Sequence, residues 1–335
     1  MNIALLIEKL DGGGAERVVQ RLALGLAQRG HRIFVYCLHA ATAALVERMH
    51  AGGVVLREMR SFGRDPLVAW RLALWLRRDR VEVAHAHSCA ALAWVFPAAK
   101  LLGIPVLHVW HGWPPARPTR YHRLALQLTR FVEVVGVNSE WLRGRLPPGR
   151  VANTAVHLPN GIDLQPRAPE QAQQSLERLC RRVLHRPIVL TVGNFRAEKD
   201  TCGLLQAFAL VRHECPHAEL VCVGEAVDAA YWQTVQHTRA ALKLDGSVHF
   251  PGSCPDAWQL MAAADVFCLS SPSESMPNVV LEAMSQRVPV VATTVGDVGR
   301  LEPGAAPARP LLRHEETGLL APPGDPPALA ASLVS

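Results

Sequence analysis

Short apolar runs alternate with amphipathic segments along the whole chain. Asn2 to Ile7 is an apolar run of strand length, followed by the glycine cluster Asp11-Gly12-Gly13-Gly14. Ala15, Val18, Val19, Leu22 and Leu26 then recur at helical spacing, and Gly30 stands where a helix stops. Ile33 to Leu38 is the next strand-like run. Strand, glycine turn, helix, strand is a βαβ unit, which implies a parallel sheet. The pattern predicts further helices over 64–80 and 119–130, and strands over 81–85, 104–109 and 132–137. Asn138-Ser139-Glu140 opens another helix.

Leu158-Pro159-Asn160-Gly161-Ile162-Asp163 is a turn signal, and helical periodicity weakens across the Gln- and Arg-rich stretch 165–186. The domain boundary is placed there, giving domains 1–170 and 171–335. The second domain repeats the alternation, with strands over 188–192, 219–223, 247–250, 265–269 and 288–292. Helices run to about 213 and over 229–242 and 255–264, and a last one follows Asp325. Residues 301–313, with three prolines, read as a loop. Two successive doubly wound α/β domains with a cleft between them follow from this order.

Composition narrows the classes. Among 335 residues, 49% are hydrophobic, enough for two packed cores rather than a disordered chain. The longest apolar candidate, Ala90 to Trp110, is interrupted by Pro97, Lys100, Gly103 and Pro105, so no spanning helix is expected. The first residues lack the features of a signal peptide. Eight scattered cysteines without a CxxC pair read as reduced thiols of a cytoplasmic protein. Residues 1–165 hold 21 Lys/Arg against 11 Asp/Glu, whereas 166–335 hold 14 against 18. A basic half points to an anionic partner or surface as readily as to an ordinary solvated face. Arg and Trp together over 64–80 suit a peripheral contact with an anionic membrane, and equally a half-buried helix.

The chemistry gathers after strands. Val266-Phe267-Cys268-Leu269 runs into Ser270-Ser271-Pro272-Ser273-Glu274-Ser275-Met276-Pro277-Asn278, and Asn278 stands where a helix N-cap belongs. Glu274 falls in the loop and Glu282 in the first turns of the helix, with seven residues between them. Each alone is equally an ordinary solvated residue. Gly193 to Lys199 follows an earlier strand and offers Arg196 and Lys199, in a chain with only four lysines. Such positions face the crevice at the carboxyl ends of parallel strands. Arg binds a diphosphate as a planar fork and Lys as a point charge. A helical glutamate can accept from ribose hydroxyls and a loop glutamate from sugar hydroxyls, which describes a site for a nucleoside-diphosphate sugar. In the first half, His111 lies at a strand end in a Gly/Pro loop, and the glycine loop lets backbone N–H groups approach an anion. His85-Ala86-His87 has no third metal ligand nearby.

The chain resembles the retaining glycosyltransferases of family 4, of GT-B architecture. Gly12-Gly13-Gly14-Ala15-Glu16-Arg17, His85-Ala86-His87, His111-Gly112 and Pro159-Asn160-Gly161-Ile162-Asp163 carry the resemblance in the first half. Gly193 to Lys199, Ser273 to Glu282, Val288 to Thr293 and Gly318-Leu319-Leu320 carry it in the second. It implies two Rossmann-like domains with parallel sheets facing across a cleft. It also implies that Arg196 and Lys199 bind the donor diphosphate, Glu282 the ribose, and Glu274 the donor sugar with the Met276, Pro277, Asn278 and Val279 backbone. His111 would sit by the anomeric centre, and Gly13 and Gly14 would let the loop close over phosphates and acceptor. Arg196, Lys199, Glu274 and His111 are thus the expected catalytic residues. No metal or cofactor is implied. The expected partners are a nucleoside-diphosphate sugar and a hydroxyl acceptor, lipid-linked or an anionic glycan, and not nucleic acid. The expected setting is glycoconjugate synthesis at or near the inner face of the cytoplasmic membrane.

The chain ends at Ser335, where family members continue with helices that cross back to the first domain. The segment 301–313 is longer than usual, and Asp297 replaces a common second glycine. Two alternatives therefore stand beside the transferase: a nucleotide-sugar 2-epimerase of the same architecture, and a truncated, non-catalytic nucleotide-sugar-binding protein.

Overall fold

The computed structural model describes residues 1–60, 65, 67–114, 117–164, 166–299 and 310–335. The chain divides into two compact units, Met1–Gly161 and Ile162–Ser335, each with its own parallel sheet.

The first unit opens with β1 (Asn2–Ile7), α1 (Gly14–Gln28), β2 (Arg32–Cys37), α2 (Ala43–Ala51) and β3 (Val55–Glu58). It continues through α3 (Val68–Arg78), β4 (Val83–Ala86), α4 (Cys89–Leu101), β5 (Val106–Trp110) and α5 (Arg120–Leu128). β6 (Val134–Val137), two short helices, α6 (Glu140–Arg143) and α7 (Arg150–Thr154), and β7 (Val156–His157) complete it. The strand order is β3-β2-β1-β4-β5-β6-β7. Strands buried on both faces read as continuous apolar runs, and β1 does so. Ala4 and Leu6 pack with Phe34, Leu72, Leu92 and Ala125 on one side. Ile3, Leu5 and Ile7 pack with Val19, Ala23 and Met49 on the other. The apolar run that begins at Ala90 is the buried helix α4, its first turn capped by Ser88 Oγ accepting from the Ala91 N–H at 3.1 Å. Among the described residues, no helix is long and apolar enough to cross a membrane.

The second unit begins with α8 (Pro169–Cys180), then β8 (Ile188–Val192), a 3-10 turn (Ala197–Lys199), α9 (Thr201–Glu214) and β9 (Glu219–Val223). α10 (Ala229–Ala241), β10 (Val248–Gly252), α11 (Trp258–Met261), β11 (Val266–Leu269) and α12 (Asn278–Ser285) follow. β12 (Val290–Thr293), β13 (Leu319–Ala321) and α13 (Pro326–Val334) close the chain. The strand order is β10-β9-β8-β11-β12-β13.

Both sheets reverse direction once. In the first, successive strands add outward from β1 to β3, and then the chain returns to lay β4 against the other side of β1. In the second, β11 returns to pair with β8. Loops leaving the two strands at such a point diverge to opposite faces and leave a crevice at their carboxyl ends. The relevant loops are those after β1 and β4 in one unit, and after β8 and β11 in the other.

Several expectations change. The polar stretch over 165–186 contains a regular helix, α8. Pro169 starts it, and Ala172 and Leu176 are buried one turn apart, with Leu179 and Cys180 beside them. Only this narrow stripe is apolar, which makes the helical periodicity weak. The strand β3 and helix α2 were not anticipated. The helix expected over 64–80 spans Val68–Arg78 among the described residues, and positions 64 and 66 lie outside them. The helix expected over 255–264 shrinks to the single turn Trp258–Met261. Of the loop expected over 301–313, positions 301–309 lie outside the described residues.

Leu176 is fully buried in the second unit's core. Leu176→Ala should cost about 2–5 kcal/mol, visible as a lowered denaturation midpoint. The same change at exposed Leu164 should leave the midpoint unmoved.

Candidate functional site

In the second unit, the loops after β8, β11 and β12 are tied to one another. The Lys199 ammonium lies 2.5 Å from Glu274 Oε1 across the reversal point, and Ser271 Oγ donates to the same oxygen at 2.9 Å. Ser270 Oγ donates to the Lys199 carbonyl at 2.9 Å. Thr293 Oγ1 donates to the Ser271 carbonyl at 2.5 Å, and the Asp297 N–H to the Ser275 carbonyl at 2.9 Å. A Cβ on Gly296, at φ +53°, would stand 2.3 Å from the Glu274 carbonyl oxygen, so that approach requires glycine. A Cβ on Gly224 would likewise stand 2.0 Å from the Gly193 carbonyl oxygen, where the end of β9 meets the β8 loop.

Both bonds to Glu274 fall on Oε1. The other oxygen has no hydrogen bond to the described residues, and the side chain is only 16% exposed. Arg196 is exposed on the same loop, three residues before Lys199. Phe195, next to it, is buried against Trp232 and Phe250, with ring centroids 4.9 and 5.3 Å away, and this aromatic anchor holds the loop to the sheet edge. Glu282 is buried on α12. Met276 and Val279 are half-buried, and Pro277 and Asn278 buried, at the loop-to-helix junction. Pro277 rather than Asn278 occupies the N-cap position. Asn278 already has helical backbone geometry and its side chain is buried, so it cannot serve as the solvent-edge cap that its residue type suggests.

The first unit assembles a second group. His85 lies on β4, His87 just beyond its end, and His111 just beyond β5. His87 Nδ1 lies 2.9 Å from His111 Nε2, and the rings of His85 and His87 are 4.1 Å apart. His108, on the opposite face of the sheet, is held by its Nδ1 at 3.1 Å from the Ala86 carbonyl oxygen. Burial pushes His85 and His108 down to about 4 and His111 to about 3, and His87 falls well below the usual imidazole range. All four are therefore neutral imidazoles near pH 7. His111 thus lies with a partner imidazole that the spacing alone did not reveal. Among the described residues no group of three or more His, Cys, Asp or Glu is arranged to hold a metal ion.

The glycine loop after β1 differs from expectation. The N–H groups of Asp11 and Gly13 donate to Glu16 Oε2 at 2.7 and 2.8 Å. Two of the amides expected to face an anion are thus occupied by the chain's own carboxylate. Burial first, then the adjacent Asp11 side chain, raises the Glu16 pKa. The available signal was glutamate three residues after the cap position Gly13, the spacing of a capping box. Gly14 is the first residue of α1.

Two family models divide the chain: Glycosyltransferase Family 4 matches residues 12–166 and Glycosyl transferases group 1 matches 186–335. The chain belongs to this glycosyltransferase family, and its fold is α/β of the GT-B class, with two Rossmann-like domains. It is 25% identical over 268 residues to a sulfoquinovosyl transferase of Arabidopsis thaliana, covering 76% of this chain and 49% of that protein. It is 26% identical over 341 residues to a phosphatidyl-myo-inositol mannosyltransferase of Mycobacterium leprae, covering 96% and 83%. The chain thus spans about half of the first of these relatives and most of the second. HepE of Anabaena, solved in complex with UDP-glucose, shares the fold with a TM-score of 0.83 at 24% identity, covering 99% of this chain and 88% of that one.

Acid should destabilise the first unit. His108 binds no proton in the folded state until about pH 4, whereas in the unfolded chain it protonates near 6.5. The unfolded state therefore takes up more protons in that window, and stability falls as pH drops through it, by about 2 kcal/mol for His108 at pH 5. Melting temperatures from pH 7 to 4.5 should show the decline. His108→Asn, whose amide can still donate to Ala86, should make it shallower, while His85, His87 and His111 maintain the rest.

Proposed function

We propose that this chain transfers a glycosyl group from a nucleoside-diphosphate sugar to a hydroxyl acceptor with retained configuration, in glycoconjugate synthesis. The observation that carries the reading is the Lys199–Glu274 pair at the sheet reversal, with exposed Arg196 on the same loop. Arg196 and Lys199 bind the diphosphate and offset the negative charge that grows on it as the glycosidic bond breaks. Glu274 keeps one anchored oxygen and offers the other to sugar hydroxyls. Glu282 holds the ribose, and the backbone of Met276, Pro277, Asn278 and Val279 lines the donor. In the other unit, His111 is assigned to the sugar near its anomeric carbon, and Gly13 and Gly14 to the closing of the loop over phosphates and acceptor. The bond from the anomeric carbon to the phosphate oxygen breaks while the acceptor oxygen attacks from the same face. The leaving phosphate oxygen takes the acceptor's proton. On this account the glutamates are not a glycosidase acid and nucleophile pair.

The first unit, Met1–Gly161, takes the acceptor side and the second, Ile162–Ser335, the nucleotide side. UDP-sugars are the first donors to test, because HepE binds UDP-glucose and shares the fold. The relatives described above are transferases, which favours transfer over epimerisation. Arg196→Ala and Lys199→Ala should each lower turnover by about 10²–10³-fold and weaken thermal stabilisation by the nucleotide sugar. Unchanged turnover in either variant would remove the diphosphate assignment. Incubation with donor alone is the control: epimerised sugar in place of transferred sugar would point to the epimerase.

A second reading concerns where the acceptor lies. Leu67, Trp70 and Leu74 are exposed along one face of α3 and the residue before it, 58%, 59% and 45% accessible, among Arg71, Arg77 and Arg78. The opposite face, Val68, Leu72 and Leu76, is buried. An apolar stripe edged by arginines suits the surface of an anionic bilayer, and so a lipid-linked acceptor. Flotation with anionic liposomes at low salt should carry the protein, and Trp70→Ser should reduce it. No association at low salt would exclude this reading.

A further inference from the structure

The pairing of His87 with His111 is not used in the function above. At 2.9 Å, Nδ1 of His87 and Nε2 of His111 share a single hydrogen. Two N–H groups facing each other would clash, and two bare nitrogens would repel. Only two neutral arrangements remain. If His87 donates, His111 carries its proton on Nδ1 and Nε2 of His87 is bare. If His111 donates, its Nδ1 is bare and Nε2 of His87 carries the proton.

The outer nitrogens of the pair are therefore opposite in kind, one donor and one acceptor. Both are buried, and neither has a partner among the described residues. An unpartnered buried polar atom is costly in a fold and is tolerated where something else will use it. A hydroxyl both donates and accepts, so hydroxyl-bearing ligands match this pair.

We propose that His87 is a positioning residue for His111: by sharing one hydrogen with Nε2, it ties the tautomer of His111, and so whether Nδ1 meets a sugar hydroxyl as donor or as acceptor, to its own. This rests on the reading of His111 as facing the donor sugar. The pair is held from several sides. The His87 N–H donates to the Leu6 carbonyl at 2.8 Å, and the Asn138 amide to the His111 carbonyl at 3.5 Å. The ring of His85 lies against that of His87, with centroids 4.1 Å apart. Burial keeps the imidazoles neutral, so neither becomes a doubly protonated donor near pH 7.

The test reads the nitrogens directly. In ligand-free protein with ¹⁵N-labelled histidine, long-range nitrogen–proton correlations should show His87 and His111 as single, complementary tautomers. In His87→Leu, His111 should become a tautomer mixture, and kcat should fall at least about tenfold while the donor KM stays within about twofold. His87→Asn, which keeps a polar atom near the Nδ1 position, should restore one tautomer and most of kcat. An unchanged His111 pattern in His87→Leu, or equal damage in His87→Asn, would overturn the proposal. If His87→Leu does not fold, the wild-type spectrum decides, since non-complementary tautomers exclude the shared hydrogen. His111→Ala separates the two readings. Undiminished transfer there would remove His111 from the reaction, and the spectra of the ligand-free protein would still decide the pairing.

Discussion

The second unit's sheet edge is organised around a contact that contributes little energy. Lys199 and Glu274 meet at 2.5 Å across the point where the strand order reverses, but the lysine side chain is 36% exposed. Such a pair is worth at most about 1 kcal/mol, too little to shape three loops. The loops shape the pair. Phe195 fastens one, Thr293 and the Asp297 amide hold another, and glycine at 296 allows the closest approach. The charges are set in position by packing and backbone bonds that exist for other reasons. A ligand that rearranged them would therefore lose little of what stabilises the fold.

The two units apply one topological rule to different chemistry. Each sheet reverses beside its first strand, and polar side chains gather at the carboxyl ends of strands near that point. In the second unit the loops there carry full charges near solvent. In the first, neutral imidazoles pack on one another at the ends of β4 and β5. The contrast goes with burial, which disfavours the charged form of the imidazoles.

Much of this was legible in the order of the residues. Apolar runs of strand length, separated by amphipathic segments, implied parallel sheets. The loops bearing Arg196, Lys199 and Glu274 could be located because they follow such runs. What is not legible there depends on neighbours distant in sequence or on weak patterns. Helix α8 buries so narrow a stripe, Ala172 and Leu176, that its polar residues dominate the composition. Asn278 has the residue type of a cap but lies inside the helix, because Pro277 ends the extended backbone one position earlier. The spacing from His87 to His111 says nothing of their contact, which arises because β4 and β5 are adjacent in the sheet.

Glu16 gives the glycine loop a further property. Its carboxylate occupies the place at the start of α1 where a phosphate group could be received, taking the amides of Asp11 and Gly13. The loop is thus ordered around an internal surrogate anion. An incoming anion that sought the same amides would have to evict this surrogate and face its charge, whereas an uncharged hydroxyl group could dock alongside it.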